Sequence, residues 1–130
     1  MKLETFLTIA AIIAIAFGLG FAAVPAVMLT QYGIVANPGT DIMARFFGAV
    51  LLNLGFVLFL ARRVSEPVTR IAIVRGSLLG ALLGLLVAIH GQTTGAVNAL
   101  GWSTVAVYAF LVLGYAYFAF GTSVDRATAH

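Results

Sequence analysis

Cysteine is absent from this 130-residue chain, so its own side chains offer no disulfide, thiolate metal site or thiol redox couple. Charge is nearly absent too: 8% of residues are Asp, Glu, Lys or Arg, against ~25% in an ordinary globular domain. Acids are scarcest. Glu4, Asp41, Glu66 and Asp125 all stand at ends or in loops of the apolar pattern. A proton-coupled transporter normally needs an ionisable group held within the membrane, and none of these acids is placed for that. Ser77 and Ser103 have no neighbouring His oriented by an acid, so no nucleophile–base pair can be read. The expectation is a non-enzymatic protein with no catalytic residue, no metal site and no cofactor.

What is present is apolar. Hydrophobic residues make up 62% of the chain, and mean hydropathy is +1.12. A soluble protein of this size has no interior large enough for that surface, so membrane residence follows from composition. One domain, 1–130, is the natural count. The net charge of +3 comes from few residues placed at loops. It reads as a topology signal and not as a nucleic-acid patch.

Four helical spans are expected, at about 5–29, 42–61, 67–91 and 102–120. The first, TFLTIAAIIAIAFGLGFAAVPAVML, exceeds the ~7–15 apolar residues of a signal peptide, so it is expected to stay as a membrane helix. Pro25 is expected to kink or end it. Asn37-Pro38-Gly39 reads as a turn, with Thr40 or Asp41 capping the second helix. Glu66-Pro67 reads as a helix start with Pro in the first position, and Gly121 and Thr122 close the fourth helix. Two acid–base pairs stand in the favourable i, i+4 order, Asp41–Arg45 and Glu66–Arg70. The fold class expected is all-α: an integral membrane four-helix bundle with short connections. Lys2, Arg62, Arg63, Arg70, Arg75 and Arg126 fall on one side and Arg45 alone on the other, which predicts cytoplasmic N and C termini. Trp102 and Tyr32 mark the outer interface. Tyr115, Tyr117, Phe118 and Phe120 crowd the inner end of the last helix, where they could meet lipid, quinone or pigment tails.

The most regular feature is GSLLGALLGLLVAIHG, residues 76–91. Gly76, Gly80, Gly84 and Ala88 recur every four residues and form a groove free of side chains. Small residues let membrane helices approach closely. The stripe is therefore expected to pack, either within this chain or against another one. Asn53, midway along the second span, is expected to add a polar bond across the packed helices.

Arg45, Asp41 and His90 stand near the predicted outer face. With Gln92 and Asn98 they are candidates for a small vestibule that binds an anionic headgroup or solute. The competing reading makes Arg45 part of a helix-end salt bridge with Asp41. Arg75 is expected to snorkel to the cytoplasmic headgroups, where it contacts lipid. A single imidazole such as His90 can ligate a haem or chlorin. The only other histidine is His130 in the tail, and position 86 is Leu where light-harvesting helices carry a small residue. A weak echo links Gly33-Ile34-Val35 before Asn37 with Gly95-Ala96-Val97-Asn98; a duplicated hairpin would account for it.

Two families of similar size fail on their motifs. Small multidrug exporters depend on a Glu within the first helix, which this chain lacks. The Asn-rich and Thr-Phe-Ser helices of the small fluoride channels are not matched by AVLLNLGFV and GSLLGALLG. The layout AFGLGFAAVPAVMLTQYGI, MARFFGAVLLNLGFVLFLARR and NALGWSTVAVYAFLVLGYAYF instead resembles small bacterial four-helix membrane proteins of the DoxX-like kind. That resemblance covers most of the chain and implies residence in a bacterial inner membrane. It also implies an accessory role, since some DoxX-like members sit beside redox or respiratory proteins. The expected function is that of an accessory or scaffold subunit, packing with itself or with a larger membrane complex amid membrane lipids. The alternative is a small-solute or lipid binding and transport module built on the outer polar cluster.

Overall fold

The computed structural model describes residues 1–121, all in helices and short connections. Expectations about Thr122, Asp125, Arg126 and His130 fall outside the described residues. The helices are α1 (Leu3–Ala23), α2 (Pro25–Gln31), α3 (Pro38–Ala61), α4 (Pro67–Thr93) and α5 (Gly101–Ala116), followed by a π-helical turn at Tyr117–Gly121. Four segments are long and apolar enough to cross a membrane: Leu3–Ala23, Pro38–Ala61, Pro67–Thr93 and Gly101–Gly121. This is an all-helical integral membrane protein.

Prolines set three of the helix starts. Pro25 opens α2, and the chain breaks at Val24, so the first apolar run is two helices and not one. Pro38 opens α3, one turn earlier than expected, and Asn37 caps it instead of Thr40 or Asp41. The Asn37 side chain accepts from the amides of Gly39 and Thr40 (3.0 Å each), while Thr40 Oγ1 accepts from the Asn37 amide at 2.9 Å. That reciprocal cap satisfies orphan donors at the helix start, and a proline in the first position gives up only a donor the helix does not use. Pro67 opens α4 as expected, behind the cap Glu66.

The chain divides into two compact units: Met1–Arg63 with Ala96–Leu100, and Val64–Gly95 with the chain from Gly101. The first is built on α1 against α3. Gly18 meets Gly48 and Leu52, while Gly55 meets Ala11 and Ile15, so the two helices run antiparallel. Its interior holds Phe6, Leu7, Ala10, Ala11 and Ala14 from α1, with Ala44, Leu58 and Ala61 from α3. At the α2 end, Phe21, Leu29 and Ala44 form a cluster covered by Phe17, Met28, Tyr32, Ile34 and Leu51. The Phe21 ring stands edge-on to Phe47, with centroids 5.0 Å apart.

The second unit is built on α4 against α5. Gly84 meets the Tyr108 ring and Ser77 hydrogen-bonds to Tyr115, so this pair is antiparallel as well. Val74, Leu78 and Ala81 of α4 are buried, as are Tyr115, Phe118 and Ala119 on the other side. Of the four aromatics at the end of the last span, Tyr115 and Phe118 turn inward and Tyr117 and Phe120 outward.

Candidate functional site

The points where helix backbone packs directly on helix backbone lie on α1 and α3. A methyl group on Gly48 would stand 2.5 Å from the Ala22 amide nitrogen and 2.7 Å from the Gly18 carbonyl oxygen. One on Gly18 would stand 2.9 Å from the Leu52 amide nitrogen. Backbone therefore touches backbone, as small residues permit where lipid and side chains are equally apolar. Ala10, Ala14, Gly18 and Ala22 recur every four residues on α1 and supply one side of this seam. That repeat was the available signal. It is as regular as the one on α4, but alanine disguises it.

On α4 the stripe behaves differently along its length. Gly84 sits under Tyr108, so it packs within its own unit. Ala88 is half-buried. At Gly76 and Gly80 nothing lies within 4 Å of where a methyl would point. Within the second unit, packing along this stripe is thus limited to its later half. α4 meets α5 through Val74, Leu78 and Ala81, and these lie on a face turned away from Gly76 and Gly80.

Within the first unit Asn53 makes no polar bond across the α1–α3 pair. It is exposed on α3, and its carboxamide makes no hydrogen bond among the described residues. The seam against α1 runs through Ala44, Gly48, Gly55 and Leu58. At 100° per residue, Asn53 points directly away from that seam.

Arg45 has a defined job in the first unit. Its Nη1 donates to the Ala22 carbonyl oxygen at 2.6 Å. Ala22 lies in the last turn of α1, where the break before Pro25 removes the next helical donor. A guanidinium there satisfies an orphan carbonyl and complements the negative end of the helix dipole. The expected ion pair with Asp41 is absent; Oδ1 of Asp41 is buried without a hydrogen-bond partner. Asp41 still lies in the first turn of α3, where negative charge is favoured.

Asn98 joins this end of the first unit, a contact the sequence did not disclose beyond the Gly–Val–Asn echo. Its Nδ2 donates to the Gln31 carbonyl at 2.9 Å and its amide to the Tyr32 carbonyl at 3.0 Å. Its Oδ1 accepts from the Leu100 amide at 3.0 Å, much as Asn37 accepts from Gly39. Gly33 and Gly95, which precede the two asparagines, have φ of 76° and 75°. Only glycine takes that conformation freely, so the echo corresponds to two turns of similar build.

The remaining candidates are at helix ends or on exposed faces. Glu66 accepts from the amides of Val68 (3.0 Å) and Thr69 (2.7 Å) and from the Thr69 hydroxyl. These bonds, the Thr69 hydroxyl first, hold its carboxyl below the ordinary 4.5. Glu66 therefore serves α4 as a cap, and its expected pairing with Arg70 is not formed among the described residues. Arg75 is exposed two turns into α4. His90 is exposed in the last turn of α4, where its carbonyl accepts from the Thr94 amide and hydroxyl. At the end of the first unit opposite Arg45, Arg63 pairs loosely with Glu4 at 3.9 Å. Arg62 closes α3 by donating to the Phe59 carbonyl at 2.7 Å, its guanidinium 3.6 Å from the Phe59 ring centre.

Among the described residues, no three His, Asp or Glu side chains converge in a way that could hold a metal ion. Compared with known proteins, the chain matches no family model, and no curated protein or solved structure is significantly similar to it.

Proposed function

We propose that this protein is a non-enzymatic accessory or scaffold subunit of a bacterial inner membrane, acting by helix packing with itself or with a larger membrane complex. The observation that carries this reading is the open half of the α4 stripe. Gly76 and Gly80 sit in a 27-residue apolar helix with nothing against them. Glycine inside a helix costs ~1 kcal/mol relative to alanine unless close approach repays it. Within its own unit nothing approaches, so on this reading the repayment falls to a partner helix. Large apolar side chains around the stripe, Leu79, Leu83 and Val87 among them, are exposed and suit lipid. The positive-inside rule puts the end carrying Lys2, Arg62 and Arg63 in the cytoplasm. The resemblance to DoxX-like proteins points to the same kind of role.

The test is gentle extraction from native membranes, a native gel, and mass spectrometry of the band. Co-migration with a larger complex, or a homo-oligomer weakened by Gly76→Leu and Gly80→Leu, is the expected result. A monodisperse monomer whose migration ignores both substitutions overturns it.

A second reading is a lipid or small-solute site at the Asp41–Arg45 end of the first unit. It draws on the unpartnered Asp41 Oδ1. The Arg45 guanidinium is already engaged by Ala22, which favours a structural role. Binding that survives Arg45→Ala and Asp41→Asn would remove this reading.

A further inference from the structure

The face of α3 opposite its seam with α1 carries one polar group, and lipid cannot serve it. Phe46 (60% exposed), Phe56 (54%) and Leu60 (75%) flank Asn53 there, and Ala49 is exposed between them. Lipid tails cover Phe and Leu as well as any protein surface does. They cannot hydrogen-bond a carboxamide. α3 spans Pro38–Ala61, so Asn53 lies about 5 Å past its midpoint at 1.5 Å per residue. Headgroups and water are out of reach there, and unmet polar atoms are penalised.

The spacing also has a meaning. Residues 46, 49, 53, 56 and 60 step by three and four, the a/d rhythm of a helix seam, with Asn53 at an a position. A single Asn at such a position fixes register and partner number. A carboxamide is both donor and acceptor, so two identical residues facing across a two-fold axis satisfy each other. Copies inserted in one orientation bring this face together in parallel.

We propose that the Phe46–Ala49–Asn53–Phe56–Leu60 face of α3 packs on the same face of a second copy, with the two Asn53 side chains hydrogen-bonded across the interface. The inference rests on the scaffold reading and names one of its partners as the chain itself.

The absence of cysteine makes the test clean. Ala49→Cys and Leu60→Cys each introduce the only thiol, and both leave Asn53 in place. Leu54→Cys is exposed but lies about a quarter-turn off the seam. Mild oxidation of native membranes is expected to join A49C and L60C into dimers and to leave L54C monomeric. Adding Asn53→Leu to A49C is expected to reduce dimer about three- to twentyfold, as loss of one interhelical bond does. Asn53→Gln restores it. Cross-linking no greater than that of L54C, or a dimer yield indifferent to Asn53→Leu, overturns the proposal. Co-migration with a larger complex in a native gel, without A49C cross-linking, overturns this face and leaves the scaffold reading standing. A lone monomer in both assays overturns both.

Discussion

At Gly48 the neighbours of a new methyl group would be the Ala22 amide nitrogen and the Gly18 carbonyl oxygen. Backbone atoms inside a helix cannot swing aside as a flexible side chain does, so the whole of α1 would have to retreat. Gly48→Ala is expected to destabilise the protein by about 1–3 kcal/mol, the usual cost of overpacking. Gly80→Ala meets nothing within its own unit, so for the chain freed of any partner, helix propensity alone predicts no loss and a gain of up to ~1 kcal/mol. Unfolding in a detergent titration followed by helical circular dichroism measures both; equal effects would mean that the α1–α3 seam is not the tight one. Arg45→Ala removes a charge-assisted bond to an orphan carbonyl and is expected to cost about 1.5–3 kcal/mol. Arg45→Lys recovers part of that in the same titration if the bond is what matters, and none if only the guanidinium's shape does. Both positions show where reading the sequence stops. The four-residue repeat on α4 was plain because glycine is rare in helices, whereas Ala10, Ala14, Gly18 and Ala22 pass for ordinary apolar filler. A repeat reveals which face of a helix is small. It carries no record of which helix arrives there, and the partner of Arg45, 23 residues back in the chain, left no local pattern at all.

Helix ends follow from three prolines, and the sequence made two of them readable. Pro25 and Pro67 stand at the edges of long apolar runs, where a missing amide and a fixed φ mark a boundary. Pro38 was harder, because Asn-Pro-Gly is equally good turn chemistry. The Asn37–Thr40 reciprocal cap decides for helix, and that depends on four residues acting together. The Glu66 cap makes a prediction at this scale. Its folded pKa is depressed, so its contribution to stability is present in full above 4.5, the value of a free carboxyl, and is lost as pH falls through the folded value below that. Glu66→Ala removes the cap at every pH. The gap in melting temperature between wild type and E66A is therefore expected to hold steady above 4.5 and to narrow as the solution becomes more acidic. A gap that persists unchanged at the lowest pH would show that Glu66 acts on α4 other than as an ionised cap.

Across the whole molecule, few charges carry the topology. In the first unit Lys2, Glu4, Arg62 and Arg63 stand at one end, and Asp41 and Arg45 at the other. Arg45 keeps its charge while bonded to the Ala22 carbonyl, so this end carries one cation against Lys2, Arg62 and Arg63 at the other. The opposite end holds Arg63 in only a loose, exposed pair, worth little and readily screened. That asymmetry in Lys and Arg is what the positive-inside rule reads. Introduced thiols test it in a chain that has none. Val35→Cys, on the loop before α3, is expected to react with a membrane-impermeant maleimide on intact cells. Ser65→Cys, on the loop before α4, is expected to react only after permeabilisation. Reversed labelling would invert the orientation. Labelling of both sites on intact cells would mean that the chain inserts both ways. That last outcome reaches back to Asn53, because a parallel pairing of α3 requires every copy to enter in the same sense. In a mixed population, the copies able to meet through Phe46, Asn53 and Leu60 would be limited to those sharing an orientation, and A49C dimers would fall in proportion. Orientation labelling and cross-linking on the same membranes therefore separate a weak interface from a strong one starved of correctly inserted partners.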